Sequence, residues 1–171
     1  MTETLSLIDQ TLKEHEEIML GVEASESIAN DLTAMAELDR PLESFVPGRP
    51  GDQRRSLNDL QESLERVDKV LQGHFDREEK ALLTAFEKRP DKMLASAFSA
   101  LLHEHKELRD RIARSRENAS ELATGGLSRD VWEGKAYGLR AYMRHTRKLI
   151  EAHADSEWEL LQRLRTQLEG A

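Results

Sequence analysis

Six residues of this chain have types and spacings that suit a site for metal ions. One sequence motif occurs twice: a histidine is followed, after a long interval, by a second histidine and by a glutamate four residues beyond it. The six residues are His15, His74, Glu78, His105, His153 and Glu157. Imidazole and carboxylate groups together suit iron or manganese, and a carboxylate can bridge two metal ions. The set therefore predicts two metal ions, each bound by two histidines, with Glu78 and Glu157 as bridges.

Helices would bring these six residues together. Side chains four positions apart lie on one face of an α-helix, so each glutamate would face the same way as the histidine before it. A four-helix bundle can collect one or two ligands from each helix in its core. At 1.5 Å per residue, the six residues lie about 15–22 Å from helix ends that meet at one end of an antiparallel bundle. We therefore expect all six at one level of the bundle.

Four long segments of the chain carry apolar residues at helical spacing. The predicted helices cover about 3–37, 56–88, 92–124 and 128–168. The first two segments resemble the last two, so the chain reads as two similar helical hairpins. We predict an all-α fold, an up-down-up-down antiparallel four-helix bundle, in a single domain over residues 1–171.

The boundaries of these helices follow from local signals. Ser56, Asp91 and Ser128 are the predicted N-caps, and the pair Gly125–Gly126 predicts the end of the third helix. The proline- and glycine-rich segment at about 39–55 is the predicted long loop. That loop joins helix ends far from the metal ligands, so we do not expect it to cover the site.

The composition excludes several classes of protein. A formal net charge of −8 disfavours binding to nucleic acid and to anionic membranes. The absence of cysteine excludes disulfides, thiolate metal sites and cysteine nucleophiles. The sequence shows no secretory signal and no apolar stretch long enough to span a membrane. We therefore expect a cytoplasmic protein.

Other polar residues near the six are expected to lie outside the site. His103 and His145 are predicted to face away from the metals, and Glu78 is preferred over Glu79 because Glu157 is its counterpart in the repeat. Four acidic residues are predicted to lie on solvated faces: Glu14, Asp76, Glu104 and Asp155. Met19 and Ile112 are the predicted lining of a small apolar pocket beside the metals.

The duplicated motif resembles that of the hemerythrin-like, or HHE cation-binding, family. The likeness covers nearly the whole chain, from Leu5 to Leu164. The family is a four-helix bundle around a non-heme di-iron centre. The resemblance implies two iron ions with an oxo or hydroxo bridge, in a site that manganese or zinc could also occupy. It assigns the ligand role to the same six residues: His15, His74, Glu78, His105, His153 and Glu157.

The chain departs from oxygen-carrying hemerythrins at two positions. Arg109 stands where they have a second histidine on the third helix, and Trp158 stands where they have an aspartate on the last helix. The match is closer to a branch with four histidines and two glutamates, which resembles bacterial proteins linked to iron–sulfur cluster repair, nitric oxide or peroxide. Fewer protein ligands leave open positions on the metals, which favours reaction with small molecules over reversible carriage.

The sequence leaves three functions to compare. The first is a di-iron protein that binds or reacts with O2, NO or hydrogen peroxide. The second is a non-catalytic protein that stores oxygen or iron or senses them. The third is a helical interaction module without metal. The first two share the site and differ in turnover, so the sequence alone does not say whether the protein is an enzyme.

Overall fold

The computed structural model describes residues 2–38 and 52–170, and the regular structure of those residues is entirely helical. The elements are α1 (Thr2–Leu38), α2 (Asp52–Arg77), a π-helical turn (Glu78–Leu82), α3 (Leu83–Glu87), α4 (Lys92–Leu102), α5 (Glu104–Thr124) and α6 (Arg129–Glu169). The π turn joins α2 to α3 in one rod, and α4 and α5 form another. The elements therefore make four long rods.

The four rods form a square bundle in which neighbours are antiparallel. α1 contacts α2 and α6, and α5 contacts the same two helices. Ile8, near the start of α1, packs with Leu82 beyond the end of α2, whereas Leu32, near the other end of α1, packs with Leu57 at the start of α2. The predicted up-down-up-down four-helix bundle is confirmed. α1 to α3 form the first hairpin, and α4 to α6 form the second.

Most of the predicted helix boundaries are correct. The Asp91 carboxylate accepts a hydrogen bond from the Leu94 backbone N–H at 3.0 Å. The Ser128 hydroxyl caps α6 by accepting from the Val131 backbone N–H at 3.4 Å. α5 ends before Gly125, whose φ of 82° lies in the left-handed region that favours glycine.

The start of the second rod differs from the prediction. Ser56 is not an N-cap, because α2 begins at Asp52. No helix breaker separates Ser56 from Gly51, so the helix extends back to that glycine. The predicted loop at 39–55 therefore loses its last four residues to α2, and its remainder, 39–51, lies outside the described residues.

Two rods are less regular than predicted. In the second rod, the π turn begins at Glu78 itself. In the third rod, His103 separates α4 from α5. Its ring Nδ1 lies 3.0 Å from the carbonyl oxygen of Ser99, four residues earlier. Its backbone N–H donates instead to the carbonyl oxygen of Ala100, three residues earlier, at 3.2 Å. The ring takes the acceptor that a regular helix would give to the backbone, which interrupts the helix.

Three apolar layers fill the bundle, and the predicted metal ligands interrupt them. One layer, at the end that contains the start of α1 and the end of α6, includes Phe86 and Phe98. The middle layer includes Leu71 and Phe75, and the third surrounds Trp132. Five of the six predicted ligands are buried between the first two layers. In the part of the chain that the structure describes, no helix is long and apolar enough to cross a membrane.

Candidate metal centre

The structure brings the six predicted ligand residues to one place in the core. α1 supplies His15, the second rod supplies His74 and Glu78, α5 supplies His105, and α6 contributes the remaining histidine and glutamate. Their ligand atoms form two overlapping groups that could each hold a metal ion. One group is His15, His74, Glu78 and Glu157, and the other is Glu78, His105 and His153.

Glu78 lies between the two groups and belongs to both. Its Oε1 is 2.6 Å from His74 Nε2 and 4.0 Å from His15 Nε2. Its Oε2 is 3.0 Å from His105 Nε2. Because the two oxygens face different imidazoles, this carboxylate has the arrangement that a bridge between two cations requires.

Glu157 faces the same centre from α6. Its Oε2 is 2.9 Å from His15 Nε2, 4.0 Å from His74 Nε2 and 3.8 Å from His153 Nε2. The side chain is fully buried, and its Oε1 has no hydrogen-bond partner. One oxygen of Glu157 therefore points among three imidazoles, while the other is left for a further partner.

Several polar atoms of this centre are buried without a hydrogen-bond partner. They are both carboxylate oxygens of Glu78, Nε2 of His105, Nε2 of His153 and Oε1 of Glu157. Some of these atoms lie close together, yet their directions do not allow a hydrogen bond. Buried polar atoms in proteins are nearly always satisfied. Two cations would satisfy this set, so the residues fit a two-metal group.

Burial places two of the imidazoles, those of His74 and His105, in the form that binds metal. It lowers the pKa of His74 to about 4 despite the opposing negative charge of Glu157. Burial likewise lowers the pKa of His105 to about 4, although a hydrogen bond to Glu79 acts in the other direction. Both rings are therefore neutral near pH 7 and offer a lone pair to a metal ion.

The two buried glutamates differ in charge. Burial, followed by the nearby negative charge of Glu157, raises the pKa of Glu78 well above its usual value. Burial also acts to raise the pKa of Glu157, but the hydrogen bond and positive charge of His15 outweigh it and lower this pKa. Without a cation, Glu78 therefore tends to keep a proton that a metal ion would replace.

Two glutamates predicted to lie on solvated faces contact the site histidines. Glu14 Oε2 is 3.1 Å from His74 Nδ1, and Glu104 Oε2 is 2.9 Å from His153 Nδ1. The prediction was wrong for Glu14, whose side chain is only 12% exposed, whereas Glu104 is exposed as predicted, at 55%. Each glutamate points toward the neighbouring helix, where it meets the outer nitrogen of the next imidazole. Such contacts fix the tautomer and direct Nε2 toward a metal.

Glu79 provides a third contact of this kind. Its Oε1 is 2.8 Å from His105 Nδ1 and accepts a hydrogen bond from Arg109 Nη1 at 2.7 Å. The guanidinium of Arg109 lies over the ring of Phe75, whose other contacts include a stacked His105 ring at 3.7 Å between centroids. His105 is therefore held by a carboxylate and by an aromatic ring, and both are fixed by Arg109.

The remaining predictions around the site have mixed outcomes. His103, His145, Asp76 and Asp155 are exposed, as predicted. A cavity of about 10 Å³, room for one water-sized molecule, lies beside the centre. Met19 lines it together with His15 and Phe75, as predicted. Ile112 does not line this cavity and instead lines a second one, of similar size, farther along the bundle.

The comparisons with known proteins agree with the resemblance in the sequence. A family model described as the hemerythrin HHE cation binding domain matches residues 6–164. Neither the curated proteins nor the solved structures gave a match. The matched range contains all six residues of the centre and nearly the whole bundle. The chain therefore belongs to the hemerythrin family of HHE cation-binding domains, and its function is to bind metal ions.

Proposed function

We propose that the six clustered residues bind two iron ions and that the protein uses them to bind or react with O2, NO or hydrogen peroxide. The observation that carries this proposal is the set of buried polar atoms on Glu78, His105, His153 and Glu157 that have no hydrogen-bond partner. Burying apolar residues of similar volume there would cost much less free energy than burying these polar atoms. A bound cation would offset this cost, because it would pair with the buried atoms that lack a hydrogen-bond partner.

The donor set indicates which cations fit. Four imidazole nitrogens and two carboxylates suit iron and manganese, whereas the absence of cysteine removes the thiolate ligands of many structural zinc sites. Iron is the metal that the family resemblance implies. Two iron ions would supply the electrons and the coordination positions that O2, NO and peroxide require.

The residues of the chain have separate roles in this proposal. His15 and His74 would bind one ion, and His105 and His153 would bind the other. Glu78 would hold the two together, because its oxygens face different histidines. The middle apolar layer, in which Phe75 stacks on His105, excludes water from one side of the centre. Location in the cytoplasm belongs to the same proposal.

Rapid mixing tests the proposed reactivity. Protein loaded with ferrous iron would be mixed separately with O2, NO and hydrogen peroxide, and its absorption would be followed with time. Consumption of peroxide or NO with oxidation of the ferrous iron, and return to the starting spectrum when a reductant is added, supports a reactive centre. A stable spectrum that forms with O2 and reverses when O2 is removed would assign the protein to the storage or sensing alternative.

A further inference from the structure

The four histidines of the centre are not held equally. The outer nitrogens of His74, His105 and His153 lie 3.1, 2.8 and 2.9 Å from carboxylate oxygens. Each of these rings can turn away from the centre only by breaking that contact. Removing such a contact in metal proteins typically weakens metal binding by about 10- to 100-fold.

His15 lacks this restraint. Within residues 2–38 and 52–170, no carboxylate lies in hydrogen-bond distance of its Nδ1, and its ring is held through Nε2 by Glu157 at 2.9 Å. The repeat explains the difference. Glu79, which holds His105, follows Glu78 directly, and the residue that follows Glu157 is Trp158. Trp158 is 52% exposed and supplies no acceptor for an imidazole N–H.

His15 is also the most accessible of the four. Its side chain is 12% exposed, compared with 1–4% for the other three. The small cavity beside the centre is lined by His15, His74 and His153 and by apolar side chains that include Ile18 and Met19, and His15 is the most exposed of the three histidines. Solvent can therefore reach this ring, and a small apolar space lies next to it.

We propose that His15 is the exchangeable ligand of the centre, and that its release gives small uncharged ligands a further position on the metals beside those that the protein ligands leave open. This inference rests on the proposed two-metal function. Release of His15 breaks no hydrogen bond at its outer nitrogen and leaves the three restrained histidines and both glutamates in place. The ligands that suit this position are small nitrogen donors and diatomic gases, because the adjoining cavity is apolar and holds one water-sized molecule.

Cobalt binding compares His15 with its counterpart in the repeat, His105. The visible absorption of bound Co²⁺ would be followed during titration of wild type, His15→Ala and His105→Ala, with circular dichroism as the check on folding. We expect wild type to bind two Co²⁺ ions. We expect His15→Ala to keep both Co²⁺ ions, with an affinity at one position that is lower by no more than about tenfold. We expect His105→Ala to lower the affinity for Co²⁺ by at least about 100-fold.

Rescue by free imidazole makes the test sharper. Imidazole added to His15→Ala should restore the wild-type cobalt spectrum, because the vacated position opens to solvent. Added to His105→Ala, it should have no effect, because that position is buried. Equal loss of cobalt in both variants, or rescue of neither by imidazole, would overturn the proposal for His15 and leave the two-metal site standing. Failure of wild type to bind two ions would overturn the proposed function and, with it, this inference.

Discussion

Each hairpin of the bundle supplies two histidines and one glutamate to the centre, but the two hairpins hold these side chains through different contacts. In both, the glutamate before the first histidine contacts the second histidine, as Glu14 does for His74 and Glu104 for His153. Only the first hairpin has a π turn, which begins at the ligand glutamate and is followed by a regular helix. That hairpin also supplies Glu79, which reaches across to His105. The second hairpin has Trp158 at the corresponding position and returns no such contact.

The two hairpins therefore place their ligands at matching positions but differ in how firmly each ligand is held. The ligands lie on the inner face of each rod, where spacing along the helix determines their direction. The supporting residues lie at the seams between rods, so a single change there affects one ligand and spares the rest.

The largest effect is expected at the two buried glutamates. Glu78→Ala should reduce bound iron from two ions per chain to one or none, because both oxygens of Glu78 face imidazoles of different groups. Glu157→Ala should lose less iron than Glu78→Ala, because only one oxygen of Glu157 is near imidazoles. Elemental analysis after iron loading and gel filtration measures both, with the exposed Glu107→Ala as the control. Unchanged iron in both variants would remove the bridging role.

The next effect concerns the carboxylates that hold the histidines. Glu14→Gln and Glu104→Gln should each weaken metal binding by about 10- to 100-fold, because the amide no longer favours the tautomer that directs Nε2 inward. Competition with a chelator would measure the change. The exposed Asp155→Asn is a matched control on α6 and should bind metal as wild type does. Binding unaffected by either glutamine variant would show that the contacts of Glu14 and Glu104 do not support the metal site.

These two glutamates show where reasoning from the sequence ended. The four helices, the shared level of the six residues and the caps at Asp91 and Ser128 followed from spacing and from local hydrogen-bond chemistry. The contacts of Glu14 and Glu104 did not, because they depend on the seam between two helices. The sequence did contain a signal, since each hairpin has a glutamate directly before its first ligand histidine: Glu14 before His15, and Glu104 before His105.

The irregular helices were beyond sequence reasoning for a related reason. The π turn at Glu78 and the interruption at His103 depend on small shifts of the backbone, which hydrophobic spacing does not encode. The interruption has a local cause in the His103 ring, which takes the Ser99 carbonyl oxygen as its acceptor. Histidine also occurs within regular helices, so its presence alone does not predict a break.

Gly21 lies where α1 closely approaches α2, whereas Gly134 lies on an exposed face of α6. A Cβ at Gly21 of α1 would lie 2.8 Å from Val67 Cγ2, whereas a Cβ at Gly134 of α6 would meet nothing within 4 Å. Gly134→Ala should stabilise the protein by about 0.5–1 kcal/mol through helix propensity. Gly21→Ala should be less stable than Gly134→Ala by about 1–3 kcal/mol, because the buried valine has little room to move. Urea unfolding of both variants would measure the difference, and equal stabilities would contradict the close approach.

The smallest effect is the pH dependence of the metal-free protein. Burial lowers the pKa of His74 and His105 to about 4, whereas both return to about 6.5 on unfolding. Between these values the unfolded chain binds more protons, so stability falls as the pH falls. Glu78 opposes this with at most one proton, because burial raises its pKa and the retained proton stabilises the fold at low pH. The net loss should therefore lie between about 1.4 and 2.7 kcal/mol per pH unit at its steepest.

Urea unfolding of the metal-free protein at pH 6.5 and pH 5 would measure this loss. His105→Gln should reduce the slope, because one of the two contributing imidazoles is gone. His103→Gln should leave the slope unchanged, because that ring is exposed. Stability that stays constant or rises toward pH 5 would show that the buried imidazoles do not titrate as described.

The iron content of the wild-type protein tests the central claim most directly. The chain would be loaded with ferrous iron without oxygen, passed through a desalting column and analysed for iron and protein together. Two iron ions per chain, retained through the column, are the expected result. A chain that keeps no iron, in a fold that circular dichroism shows to be intact and helical, would contradict the claim that these six side chains form a two-metal centre.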